Sequence, residues 1–91
     1  MSTSKRKLSA KSSSIEAQYQ RCLSMLRSGE KSTIELRRGG VMMPAARVKG
    51  LTELGYNIVR VALRDLWDEW GFLHPRVAIY ALISEPADGL T

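Results

Sequence analysis

The sequence predicts a small α+β domain in which three helices precede a two-stranded antiparallel β-hairpin. Three observations carry this reading. Ser13 and Ser32 are each followed three residues later by a glutamate, the pattern of a helix-starting capping box. Pro44 opens a third helical segment that reaches Gly55. Beyond Gly55 the helical spacing gives way to runs of β-branched and aromatic residues.

The elements follow in order. From Ser14 to Arg27, the apolar positions Ile15, Tyr19, Cys22, Leu23 and Leu26 recur at helical spacing, and Gly29 ends the segment in a conformation that suits glycine. Ser32 and Glu35 open a short second helix, Thr33 to Arg38, which stops at Gly39 and Gly40. Pro44 fits the first turn of a third helix, where its missing N–H is not needed, and the segment runs to Leu54. Tyr56 to Leu63 and Arg76 to Ile83 read as strands. Between them Asp68, Glu69, Trp70 and Gly71 supply a turn, and Pro75 places an edge or a bulge at the start of the returning strand. One helical turn over Asp65 to Trp70 is the alternative for this stretch.

The 91 residues, 44% of them apolar, suffice for one domain and not for two with a cleft between them. Charge is unevenly spread. Residues 1–14 carry Lys5, Arg6, Lys7 and Lys11 with no acid; residues 15–55 have a net +3 and residues 56–91 a net −2. The Ser- and Lys-rich opening has too little apolar surface to offset the entropy of ordering it. Residues 1–13 are therefore expected to be a flexible basic arm, 14–83 the domain and 84–91 a flexible tail. One cysteine, Cys22, and one histidine, His74, exclude an intramolecular disulfide and a Cys/His zinc site, and a reducing cytoplasmic setting fits. No stretch approaches the ~20 apolar residues of a membrane span. His74 precedes Pro75 in an expected strand, Cys22 lies on a buried stripe and no carboxylate pair is placed for acid–base work, so no active site, metal or cofactor is assigned.

Three helices, a glycine turn before the third, and a terminal hairpin are the order of a winged helix-turn-helix; a three-helix bundle with an unrelated hairpin is the alternative. The segment STIELRRGGVMMPAARVKGLTELGYNI adds a Ser/Thr-Glu-Leu-Arg helix start, a Gly-Val turn, Met-Pro with Ala-Ala-Arg-Val, a Leu-x-x-x-Gly helix end and a following Asn-Ile. In these motifs the chain resembles a family of small helix-turn-helix domain proteins of bacteriophages and prophages. The likeness runs from about Tyr19 to Leu82 and is closest from Thr33 to Val59. It implies the fold and DNA binding, while the roles of individual family members are mostly undefined; taken with the residues, the expectation is a double-stranded DNA-binding transcriptional or DNA-transaction regulator in a bacterial host cell. The chain departs from that pattern in the wing, where Leu66, Trp67, Trp70, Phe72 and Leu73 stand beside Asp65, Asp68 and Glu69 instead of polar or basic residues.

Turning each residue of the third helix by about 100° puts Pro44, Val48 and Leu51 on a packing face and Ala46, Lys49, Gly50 and Glu53 on a free one. Small Ala46 and Gly50 would make a narrow leading surface for the major groove, from which Lys49 reaches a guanine edge or a phosphate. Arg47, on the flank, either clamps a phosphate, reaches a base, or pairs with Glu35 or Glu53. Met43 has no side-chain oxygen for the helix's first amides, which are then open to water or an anion. Arg37 and Arg38 favour the negative end of the second helix and also stand where a DNA backbone would pass, and Ser32 and Thr33 could bond a phosphate besides capping. Lys5, Arg6, Lys7 and Lys11 could follow the minor groove or only add to the positive field. Leu66, Trp67, Trp70, Phe72 and Leu73 either fold back on the domain or meet a partner, which is a second copy forming a homodimer or, in the alternative function, a host or phage protein that a winged protein-interaction module binds, as an inhibitor for example.

Overall fold

Ser14, one residue after the serine nominated by the sequence pattern, caps the first helix, its hydroxyl accepting from the Ala17 N–H at 3.2 Å. The structure is a computed structural model and describes residues 14–87. Its elements are α1 (Ile15–Arg27), β1 (Lys31–Ser32), α2 (Thr33–Arg38), α3 (Pro44–Glu53), β2 (Asn57–Trp67) and β3 (Leu73–Ser84). The α+β class and the three helices agree with the sequence. The sheet differs: it has three antiparallel strands in the order β1-β3-β2, not two. The added strand is Lys31–Ser32, paired with Tyr80 and Ile79. Two residues are too few to show an alternating pattern, and the signal at Ser32 is that of a helix cap.

That cap forms in full. Ser32 Oγ accepts from the Glu35 N–H at 3.0 Å, and Glu35 Oε1 accepts from the Ser32 N–H at 2.8 Å. β1 thus ends on the residue that starts α2, which fixes this helix to the sheet.

The β2–β3 ladder runs from Asn57 opposite Ser84 to Trp67 opposite Leu73, so both strands extend further towards the turn than their apolar runs suggest. The ladder slips between Arg64 and Leu66, where Asp65 faces Pro75 and Arg76. Asp65 Oδ1 accepts from the Arg76 N–H at 2.9 Å, and Arg76 has a left-handed φ of 53°. This is the bulge that Pro75 foreshadows. The turn is a hairpin rather than a helical turn. Asp68 Oδ1 accepts from the Trp70 and Phe72 amides, Gly71 adopts φ 86°, and the Asp68 N–H donates to Phe72 O at 2.9 Å.

The core lies between the helices and one face of the sheet. Cys22, Leu23 and Leu26 of α1 meet Leu36 of α2, Val48 and Leu51 of α3, and Val41, Tyr56 and Ile58, with Tyr19, Met25, Tyr80 and Leu82 packed around them. At about 1.5–3 kcal/mol for each large apolar side chain buried, this cluster is the main source of stability. Ile15, expected on the buried stripe, is 54% exposed in the first turn of α1, and Gln18 takes a buried place instead. β3 runs one residue past its expected end, and beyond it Glu85 forms a two-pronged ion pair with Arg27 (2.6 and 2.9 Å). Among the described residues no helix is long and apolar enough to cross a membrane.

Candidate nucleic-acid interface

The turn joining α2 to α3 is held by α1. The buried Gln18 accepts from the Met42 N–H at 2.9 Å, Arg21 Nη1 donates to Gly40 O at 3.0 Å, and the Val41 N–H donates to Leu36 O at 2.9 Å. Gly39 lies against Met25, where a Cβ would overlap the sulfur. Sequence reasoning missed Gln18 and Arg21, because a polar residue in an amphipathic helix carries no sign of a partner 19 to 24 residues away.

On α3, Pro44, Val48 and Leu51 are buried as the helical wheel predicts, and Leu54 ends the helix exposed. The free face is shifted. Lys49 and Glu53 are exposed and Ala46 is half-buried, but Gly50 turns towards α1, where a Cβ would strike the Tyr19 phenol. Its lack of a side chain therefore serves helix–helix approach. Ala45 and Thr52, both exposed, take the outward positions the wheel did not assign. Arg47 is half-buried with its guanidinium 5.9 Å from the centre of the Tyr19 ring, and its Nε is buried with no hydrogen-bond partner. It pairs with neither Glu35, whose carboxylate is in the capping box, nor Glu53.

The start of α3 offers less to an anion than the sequence suggests. Met43 adopts a left-handed φ of 50° and is 67% exposed. Pro44 has no N–H, and the Ala46 and Arg47 amides both donate to Met43 O. Ser32 is buried, so its hydroxyl is committed to the cap and closed to a phosphate. Thr33 and Arg37 border a groove between α2 and the hairpin, together with Arg38. Arg38 Nη2 is 2.7 Å from Glu69 Oε1 across that groove. A positive patch continuous over Arg38, Arg47 and Lys49 would favour DNA and its neutralisation by Glu35 and Glu53 a protein partner; neither acid neutralises it, but the patch is broken by Glu69, paired with Arg38, and by the inward turn of Arg47. Lys5, Arg6 and Lys7 lie outside the described residues.

The hairpin tip is apolar and exposed. Trp67, Trp70 and Phe72 are 68, 75 and 67% exposed, Leu73 is exposed and only Leu66 is half-buried. Its acids, by contrast, are engaged. His74 Nε2 is 2.8 Å from Asp68 Oδ2, and this contact, with the Phe72 and Trp70 amides, holds the Asp68 carboxyl below the usual carboxylate range. Cys22 is fully buried and its thiol is pushed up to about 11 by burial, so it is not a nucleophile at neutral pH. Among the described residues no group of three His, Cys, Asp or Glu side chains is placed to hold a metal ion.

No family model, no curated protein and no solved structure matches the chain.

Proposed function

We propose that the chain is a winged helix-turn-helix protein that binds double-stranded DNA sequence-selectively, with α3 in the major groove, and that it is a phage- or prophage-type regulator and not an enzyme. The element order α1-β1-α2-α3-β2-β3, with β1 closing the sheet beside β3, supports the winged reading. The observation that carries DNA binding is the outer face of α3. Pro44, Val48 and Leu51 anchor the helix while Ala45, Lys49 and Thr52 stay exposed, a slim surface with one cation that has no acidic partner among the described residues. A helix reads base edges only if that leading surface fits the major groove. Arg37, in the last turn of α2 and without an acidic partner among the described residues, would supply a backbone contact in this reading.

Selection from a random duplex pool, followed by anisotropy titration at several salt concentrations, tests this. The expected result is an enriched site for which Lys49→Ala changes base preference or costs about 1–3 kcal/mol. No duplex bound above background at low salt would overturn it. A second reading, self-association or a protein partner through the hairpin, is favoured by the exposure of Trp67 and Phe72. A dimer in sedimentation that is lost in Trp67→Ala would support it, and a monomer at high concentration would remove the homodimer.

A further inference from the structure

We propose that the groove between α2 and the hairpin holds an unpaired nucleic-acid strand, with Arg37 and Arg76 on its phosphates and Trp70 stacked on a base. The groove measures about 630 Å³, inside the range of about 300–1,000 Å³ typical of ligand sites and far too small for a duplex. Its helix side presents Thr33, Arg37 and Arg38, and its hairpin side Trp70, Arg76 and Tyr80.

Charge identifies the occupant. The two acids on the groove, Asp68 and Glu69, are already engaged, one with His74 and two turn amides, the other with Arg38. The Arg37 and Arg76 guanidiniums have no acidic partner among the described residues, and with Arg38 they set three guanidiniums against two carboxylates along the groove, so its charge is net positive. The Arg38–Glu69 pair bridges the groove between its two walls, but both side chains are about half exposed. Such pairs contribute about 0–1 kcal/mol, so an incoming phosphate, which a guanidinium binds by two parallel hydrogen bonds, can replace the carboxylate. The aromatic component is equally specific. The turn fixes the Trp70 backbone through Asp68 while leaving the indole 75% exposed at the rim. A cationic channel with an exposed ring on which any base can stack is the arrangement that binds single strands without regard to sequence.

Ala45 of α3 lines the same groove, so a strand lying there continues from the surface proposed to face the duplex. In that placement the inference rests on the duplex reading, although single-strand binding itself does not. The protein is then expected to favour a duplex carrying a single-stranded extension over a blunt one.

The test uses the full chain in a Trp67→Phe background, so that Trp70 is the sole tryptophan, excited at a wavelength the three tyrosines do not absorb. Probes are a deoxythymidine oligomer, a uridine oligomer of the same length, a blunt duplex and the same duplex with a thymidine extension. Both oligomers are expected to quench Trp70. In the chain with Trp67 retained, Trp70→Ala is expected to weaken the oligomers and the extended duplex roughly fivefold or more, the lower end of one base–aromatic stack, and leave the blunt duplex unchanged. Arg76→Gln and Arg37→Gln should weaken the oligomers and flatten their salt dependence, Trp70→Phe should restore most of the stacking, and Glu69→Gln should tighten the oligomers. Circular dichroism melting of each variant separates lost folding from lost binding. Quenching by one sugar type alone narrows the site to DNA or to RNA. Absence of quenching at low salt overturns the proposal. So does an oligomer affinity indifferent to Trp70→Ala while sedimentation shifts, which would assign the groove to a protein contact. Loss of blunt-duplex binding with single-strand binding kept would refute the major-groove reading alone.

Discussion

Replacing Gly50 by alanine separates two accounts of α3. If Gly50 is part of the outer, base-facing surface, an added methyl meets solvent, and exchanging glycine for alanine inside a helix raises stability by about 0.8–1 kcal/mol. In the structure it meets Tyr19 instead. A Cβ there overlaps the phenol oxygen and comes within 2.9 Å of Cζ and 3.2 Å of Cε1. The ring is half-buried between α1 and α3 with Arg47 over it, so making room moves a packed side chain. Overpacking of this kind costs about 1–3 kcal/mol. Set against a propensity gain of about 1 kcal/mol, the net is a loss of about 0–2 kcal/mol, and each kcal/mol lowers the melting temperature of a domain this size by about 4–8 °C. Thermal denaturation of Gly50→Ala, Tyr19→Leu and the double variant measures it. With the phenol removed the methyl has space, so the same substitution should stabilise, giving a coupling of about 1–3 kcal/mol in the cycle. A Gly50→Ala protein that melts higher than the parent would refute the packing argument and return Gly50 to the outer face.

Four further outcomes follow from the same geometry. Ser32→Ala removes the reciprocal cap of α2 at the point where β1 meets it, and should lower stability by about 1 kcal/mol in urea titration. Cys22 should resist a thiol reagent at pH 8 in the native protein and react at once in denaturant, since burial raises its pKa to about 11. Asp68 has a folded pKa below its unfolded one, so its contribution is complete above the ordinary carboxylate pKa and disappears as pH falls through the lower, folded value; the Trp70 and Phe72 amide signals in NMR should shift in that acidic window, and Asp68→Asn should abolish the transition. Deleting residues 1–12 removes Lys5, Arg6, Lys7 and Lys11 and should reduce the slope of log affinity against log salt by up to about 3.6 if all four neutralise duplex phosphates; an unchanged slope would show that the arm does not touch DNA.

What the sequence made legible were features built from neighbours along the chain. The Ser32–Glu35 cap, the anchoring face Pro44–Val48–Leu51, and the bulge at Pro75 each depend on residues a few positions apart, and each is present. What it concealed were contacts between distant segments. β1 exists because Tyr80 and Ile79 lie beside two residues with no strand signal of their own. Gly50 is small because of Tyr19, and the turn before α3 is held by Gln18 and Arg21, all three from α1. The hairpin's length was hidden for another reason. Arg64 and Asp65 interrupt the apolar run, yet Asp65 is what the bulge requires, since its carboxylate receives the amide that the irregular ladder leaves unpaired.

The same local accounting changes what the acidic last third of the chain means for a nucleic-acid surface. Counted by residue, Asp65, Asp68 and Glu69 make the hairpin's far half unsuited to lie near phosphates. In the fold none of the three is a free carboxylate: Asp65 holds the Arg76 amide, Asp68 holds the turn and His74, and Glu69 holds Arg38. A carboxylate beside a guanidinium, as Glu69 is, has its charge offset, whereas one held by neutral N–H groups keeps its full charge, and salt shortens the reach of both. The guanidiniums of the exposed Arg60, Arg64 and Arg76 on the same hairpin have no acidic partner among the described residues. At the groove itself the guanidiniums of Arg37, Arg38 and Arg76 outnumber the carboxylates of Asp68 and Glu69, so the groove is net positive although the last third of the chain is net negative. Removing one partner should show it: breaking the pair at Glu69 frees Arg38 towards the groove, and breaking it at Arg38 exposes a carboxylate there, so Glu69→Gln and Arg38→Gln should move oligonucleotide affinity in opposite directions.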